Sequence, residues 1–367
     1  MSLNRLILAA MIALPTFSGA QPRATADTTP TITFGGFVDG YYAFDFNRPA
    51  NFDRSFTTQP ARHNEFNVNL AFVEAKLDAP SVRGRFAIQM GTSVQSNYAG
   101  EPRLGSISGP DLSRLIQEAV IGTKIADHLW IDGGIFLSHI GMESFISRDN
   151  PMYTRSMVAD YSPYYEAGVK ATWQATPALS AQFLLLNGWQ IISENNAAKS
   201  VGAHLDYTAS PSTTLSYFNY LGNEAPDSAV HRQLRFYNGV GVKHSLATRL
   251  LLLAELDYGT QGHASGSGSS NWYGGMLTAR YQVTSTAAVA GRVERYADKD
   301  QVIIATVGPG GFRASGASLG LDVTPQPRVL WRTEFRGYQG DRVFPEGSDG
   351  RSRSDAFVVT SLALTFQ

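Results

Sequence analysis

The segment Ala317-Ser318-Leu319-Gly320-Leu321-Asp322-Val323 runs into Thr324-Pro325-Gln326-Pro327 and, past Arg328-Val329-Leu330, into Trp331-Arg332-Thr333-Glu334-Phe335-Arg336. Side chains along an extended strand point alternately to two faces. In the first segment Ala317, Leu319, Leu321 and Val323 share one face, and Ser318, Gly320 and Asp322 share the other. In the second, Arg332, Glu334 and Arg336 share a parity opposite Trp331 and Phe335. The prolines between them cannot donate to a sheet ladder and favour a tight turn. The stretch therefore predicts two antiparallel strands, each with one apolar and one polar face.

Outward from this hairpin the same period-two pattern fills the chain. Phe66, Val68 and Leu70 oppose Glu65, Asn67 and Asn69, for example. The alternation predicts sixteen strands, at 32–46, 64–77, 83–95, 114–125, 129–139, 164–174, 178–188, 200–208, 212–221, 232–244, 249–259, 271–283, 286–297, 312–323, 328–338 and 355–367. No capped helical pattern of useful length is present; 111–117 has room for one helical turn.

The connections carry more information than the strands. Long segments (47–63, 96–113, 140–163, 189–199, 222–231, 260–270, 298–311, 339–354) alternate with short ones such as Asp127-His128, Ala175-Thr176-Pro177, Ala209-Ser210-Pro211 and Thr284-Ser285. An even strand number with alternating short and long connections is the pattern of a transmembrane antiparallel up-and-down β-barrel, with short periplasmic turns and long external loops. The composition agrees: 35 glycines, 20 Phe and 16 Tyr stand beside modest charge. Trp130, Trp173, Tyr207, Tyr281 and Trp331 near the short turns, and Tyr258, Trp272 and Tyr296 near the long loops, are expected to form two interfacial girdles. The last strand ends in Leu362, Leu364 and Phe366 on one face, like an outer-membrane assembly signal, although Gln367 follows the aromatic.

The N-terminus reads as an export signal at 1–20. Arg5 precedes the apolar run Leu6–Leu14, and Ser18-Gly19-Ala20 supplies small residues for cleavage after Ala20. That run is shorter than the about 20 residues a spanning helix needs. Residues 21–31 form a short linker and 32–367 the barrel. This places the protein in a bacterial outer membrane, with lipid and the barrel-assembly machinery as partners. Lys+Arg 30 against Asp+Glu 31 leaves no net field to draw nucleic acid. With no cysteine there is no disulfide framework and no thiolate metal site.

A barrel of 16–18 strands is too wide for its wall side chains to fill and leaves an aqueous channel. Many inward positions are Gly, Ala or Ser, which argues against a plug made by the wall. The charges obey the expected parity. Arg83 and Arg85 oppose Phe86 and Ile88; Glu166 and Lys170 oppose Val169 and Trp173; Arg292 and Glu294 share a face, as do Arg332, Glu334 and Arg336. On the lipid face at mid-depth an Arg would cost roughly 2–4 kcal/mol, whereas facing water it costs little. These nine are the candidate pore wall. They either keep the lumen wet through ladders of ion pairs or select ions. The longest external loop, 140–163, carries Glu143, Arg148, Asp149, Arg155 and Asp160. Folded into the lumen it would form a constriction, with Glu143 and Asp149 facing the wall arginines. Otherwise it packs over the mouth.

Catalytic signals are weak. Gly316-Ala317-Ser318-Leu319-Gly320 fits G-x-S-x-G but lies inside an alternating strand, not at a strand–turn–helix elbow. The seven histidines are scattered, without a close metal pair. No catalytic residue, metal or cofactor is predicted.

Several segments, taken in order, resemble the OmpL-like β-barrel porin family. They are Phe34 to Asn47 with Arg62 to Phe66; Gly141-Met142-Glu143 with Tyr153 to Ser156, Pro163 and Gly168; Asn187-Gly188-Trp189; Tyr281 to Thr284 with Arg292 to Glu294 and Asp298; and Arg332 to Arg336. The resemblance implies an outer-membrane porin, a channel for passive diffusion of small hydrophilic solutes or ions. It transfers no substrate. Met142 stands where the family pattern suggests an aromatic. The alternatives are a non-conducting structural or adhesive barrel acting through its external loops, and a barrel enzyme. A homotrimer is left open, because it needs a flat apolar outer face and a latching loop that the sequence does not assign.

Overall fold

A computed structural model describes residues 29–307 and 310–366. The predicted export signal, the cleavage site expected at Ala20 and most of the expected 21–31 linker lie outside the described residues. Sixteen antiparallel strands close into one barrel in chain order, with the first strand pairing with the last. They are β1 (Thr31–Asp45), β2 (Phe66–Asp78), β3 (Val82–Met90), β4 (Ile116–Ala126), β5 (Leu129–Leu137), β6 (Tyr165–Thr176), β7 (Leu179–Leu186) and β8 (Ser200–Ser210). The circuit continues through β9 (Thr213–Asn223), β10 (Leu234–Leu246), β11 (Leu250–Gly262), β12 (Ser269–Gln282), β13 (Ala287–Asp298), β14 (Phe312–Gln326), β15 (Val329–Glu346) and β16 (Gly350–Phe366). Closure runs from Gly36 opposite Phe366 to Asp45 opposite Phe357. Closing the sheet removes its edges, which is what lets backbone polar groups cross lipid satisfied.

The outward faces are apolar, with Val293, Leu319, Phe335 and Leu256 all exposed. Leu362, Leu364 and Phe366 share that outer face. The nine predicted wall residues all fall on the inward parity of β3, β6, β13 and β15.

Three expectations change. The strand predicted to Gln95 ends at Met90, where Gly91 takes φ +137° and the chain turns into helix α1 (Thr92–Asn97). A helical turn does form nearby, as α2 (Pro110–Ser113). The loops expected at 260–270 and 339–354 are shortened by ladder, to 263–268 and 347–349: Thr260 pairs with Asn271, and Phe344 with Ser352. Third, Trp130, Trp272 and Tyr296 lie on the inward parity, so they do not join the girdles. Trp173, Tyr207, Tyr258, Tyr281 and Trp331 remain outward and exposed.

The wall was expected to leave its interior unfilled. Instead, the half nearer the long loops encloses a packed aromatic core that includes Tyr41, Phe218, Tyr237, Trp272, Tyr296 and Phe357. The small inward residues are real, but aromatics alternate with them, and loop 140–163 occupies the space they leave.

Candidate functional site

Loop 140–163 leaves β5, crosses the lumen, and returns to β6. Its apolar residues Met152, Tyr153, Met157 and Val158 are buried in the barrel. Folding inward is how this segment removes them from water, at about 25 cal/mol per Å² of apolar surface. Glycines on the facing wall make room. A Cβ on Gly274 of β12 would sit 2.6 Å from Val158 Cγ1, and one on Gly241 of β10 would collide with the Met142 thioether. Near its end the loop forms one helical turn, α3 (Met157–Asp160), in which the Ser156 hydroxyl accepts from the Ala159 amide.

A backbone buried this way needs partners for its polar groups. The wall charges supply them. Arg332 donates to the carbonyls of Ser147 (2.6 Å), Asn150 (3.1 Å) and Pro151 (3.0 Å). Arg292 donates to the Thr154 carbonyl at 2.6 Å, and Arg336 to that of Arg155 at 2.7 Å. The carboxylates take the amides: Thr154 N–H donates to Glu334 at 2.8 Å and Met157 N–H to Glu294 at 2.6 Å. Among themselves the charges form one pair and one run of four. Asp322 pairs with Arg332 at 2.9 Å, Glu334 with Arg292 at 3.4 Å, Arg292 with Glu294 at 3.4 Å, and Glu294 with Arg336 at 2.6 Å. Glu143 of the loop stands 3.7 Å from Arg292 and accepts from the Ser156 amide and hydroxyl. Where the loop begins, the His139 ring spans the Glu166 carboxylate at 2.8 Å and the Asn219 carbonyl at 2.7 Å.

Five of the predicted wall residues, Arg292, Glu294, Arg332, Glu334 and Arg336, are thus buried and hold the loop. Glu166 does the same at its base. Glu143 and Arg155 are buried too, with the Arg155 guanidinium 3.8 Å over the Tyr164 ring. None of these eight presents its charge to water. Their parity was legible in the sequence, but their partner was not, because a sequence pattern does not show whether a polar face meets water or another polar segment.

The remaining candidates lie toward the short turns. Arg148 and Asp149 form the exposed tip of the loop, and Arg148 reaches Thr365 near the end of β16. Asp149 lies within the electrostatic reach of Arg148, Arg85 and Lys76. Arg83 pairs with Asp132 at 2.5 Å and lies 4.5 Å over the Trp130 ring. Arg85 bridges Glu74 at 2.6 Å and Glu118. Lys170 lies 4.6 Å over the Phe136 ring.

In these pairs the cation is outermost. The Lys76 side chain is 45% exposed and its partner Glu74 6%; for Arg83 and Asp132 the values are 35% and 6%. Arg280 and Asp322 follow the same order. In these three pairs the carboxylate is the more enclosed partner, so the charge they turn toward water is positive although each pair is neutral; the inward pair of His204 and Asp206 has the opposite order, at 14% and 43% exposed. Lys76, Arg280, Asp132 and Asp322 were not singled out from the sequence. Parity would have found them, since Lys76 alternates with Ala75 and Leu77, and Asp132 with Ile131.

Comparisons with known proteins agree with this architecture. The model of the family described as "Putative beta-barrel porin-2, OmpL-like" matches residues 31–366. No curated protein matches the chain by sequence. Among solved structures, the outer membrane channel DcaP of Acinetobacter baumannii is similar at TM-score 0.62 and 12% identity, over 95% of this chain and 100% of that one. The anion-selective porin from Comamonas acidovorans is similar at 0.58 and 12%, over 92% and 100%. OprB of Pseudomonas putida is similar at 0.60 and 13%, over 91% and 94%. At these identities the likeness concerns the fold.

Proposed function

The chain belongs to the OmpL-like β-barrel porin family, and from that premise we propose that it is an outer-membrane channel for small hydrophilic solutes with a preference for anions. The narrow section lies where the Arg148–Asp149 tip of loop 140–163 meets Lys76, Arg83 and Arg85. The observation that carries the preference is the order within the Lys76, Arg83 and Arg280 pairs, in which the cation is the more exposed partner. In a confined low-dielectric passage such an asymmetry sets which ions enter. Export through a signal cleaved after Ala20 belongs to the same reading; the mass of the mature chain tests it.

Planar-bilayer recording under a salt gradient tests the channel. Stepwise conductance with a reversal potential of anionic sign is expected. Folded protein that conducts neither as the parent nor with its loop contacts removed sinks the channel reading, and a cationic sign sinks the filter.

One observation favours a second reading, a lumen that is closed at rest. At mid-depth the inward side chains Asp39, Gln117, Phe136, Glu166, Leu184, Phe218, Glu255, Thr278, Arg292 and Arg332 are all buried, and together they sample the circumference. Conduction then requires the loop to shift. A purely structural or adhesive barrel would conduct neither as the parent nor after its loop contacts are removed.

A further inference from the structure

The wall is not paired over its whole height. The ladder between β2 and β3 stops at Ala71 opposite Met90, although β2 begins at Phe66. Phe66 to Leu70 therefore pair with β1 on one side only. Helix α1 stands behind the gap on the inside: the Ser93 hydroxyl donates to the Asn69 carbonyl at 2.7 Å, and Thr92 Oγ1 lies 3.0 Å from the inward Tyr41 hydroxyl. The Val68 amide is taken up by the Asn67 side chain at 2.8 Å. Local side chains thus cap an edge that the sheet leaves open.

The gap is a cavity of about 760 Å³. Its lower rim is made by Val68, Ala71 and Met90, which belong to the outward, lipid-facing parity, and Met90 is strongly exposed. Its upper rim is polar, with Arg62, Asp53 and Gln95. Arg62 is bound to Asp53 at 2.6 Å and to Glu65 at 3.0 Å, so this rim offers donors and acceptors together and no uncompensated positive charge.

Depth decides what surrounds it. A strand tilted about 40° climbs roughly 2.6 Å per residue along the barrel axis. From the short-turn end at Asp78, Ala71 then lies roughly 18 Å up and Phe66 roughly 31 Å up. The outward apolar band is about 25 Å tall. The window therefore opens at the level of the leaflet on the long-loop side, with its apolar rim inside the band and its polar rim at the interface.

We propose that this window is a binding site for an acylated lipid of that leaflet. One chain lies against Val68, Ala71 and Met90, and the headgroup meets Arg62, Asp53 and Gln95. The bilayer supplies the occupant at this depth, and the two-part lining matches an amphiphile. The site stands independently of conduction.

The test is native mass spectrometry of the full-length mature barrel after reconstitution in phosphatidylcholine vesicles and return to detergent. Wild type is expected to retain one lipid. Ala71→Trp, which fills the cavity, should retain at least about tenfold less. Leu277→Trp, an outward substitution on an intact stretch of the β11–β12 ladder, should retain it fully; Val68→Phe replaces Ala71→Trp if that variant does not fold. A wild-type barrel without bound lipid, or equal retention in the filled variants, overturns the proposal. So does Met90→Cys forming disulfides between copies, which would give the window to a second chain. Planar-bilayer conductance is a separate readout, so failure of the channel reading and failure of this site are distinguishable.

Discussion

Replacing Arg336 with Met tests whether the buried charges hold the loop in place. The guanidinium donates to Glu294 at 2.6 and 2.9 Å, to Thr154 Oγ1 at 3.0 Å and to the Arg155 carbonyl at 2.7 Å. Breaking a buried ion pair costs about 3–5 kcal/mol, because the abandoned charge stays in a low dielectric. Glu294 keeps Arg292 and the Met157 amide, so the low end, about 3 kcal/mol, applies. That energy does not threaten the barrel, whose sixteen ladders are untouched. It weighs on the docking of 143–160 and shifts the docked–undocked equilibrium by roughly 150-fold. Hydrogen exchange should therefore speed up by about that factor at the Thr154 and Met157 amides, which bond to Glu334 and Glu294, with strand amides unchanged. Conductance should rise with it. Adding Glu294→Gln should cost less than the sum of the two single changes, since the pair is lost only once. A folded Arg336→Met barrel with parental protection at 154–157 would refute the clamp.

Lys76→Gln with Arg83→Gln should move the reversal potential toward cation preference, because Asp132 loses its pair and Glu74 keeps only Arg85; no shift would remove these residues from the filter. Arg292→Gln should change selectivity less than it changes loop protection, as its charge is buried; the opposite ranking would return it to the water-lining wall. Gly274→Val should overpack Val158, costing about 1–3 kcal/mol of loop docking, read as faster exchange across 154–160 with the strands intact. Leu319→Arg, on the outer face, should destabilise the barrel in vesicles by roughly 2–4 kcal/mol, and an unchanged unfolding midpoint in denaturant would contradict its lipid-facing position.

The sequence alone determined the barrel. Period-two alternation assigns each strand residue to a face, and the long and short connections count the strands, because both are local consequences of a wall with lipid on one side and polar contacts on the other. It also placed Arg292, Glu294, Arg332, Glu334 and Arg336 inside, since parity holds through those stretches of β13 and β15; in β2 a bulge at Asn69 breaks it, turning Leu70 inward although Phe66 and Val68 face out. What those residues meet was decided only by tertiary structure. Loop 140–163 is close in sequence to β5 and β6, yet its carbonyls are bound by arginines more than a hundred residues away on β13 and β15. Nothing in the alternation separates an arginine facing water from one facing a buried carbonyl. The same holds for the aromatics: nearness to a turn put Trp130, Trp272 and Tyr296 in girdles, and parity, once the register was set by the neighbouring strands, turned them inward. The window beside β2 was equally hidden, because it arises where β3 ends early, and pairing is a property of two strands together.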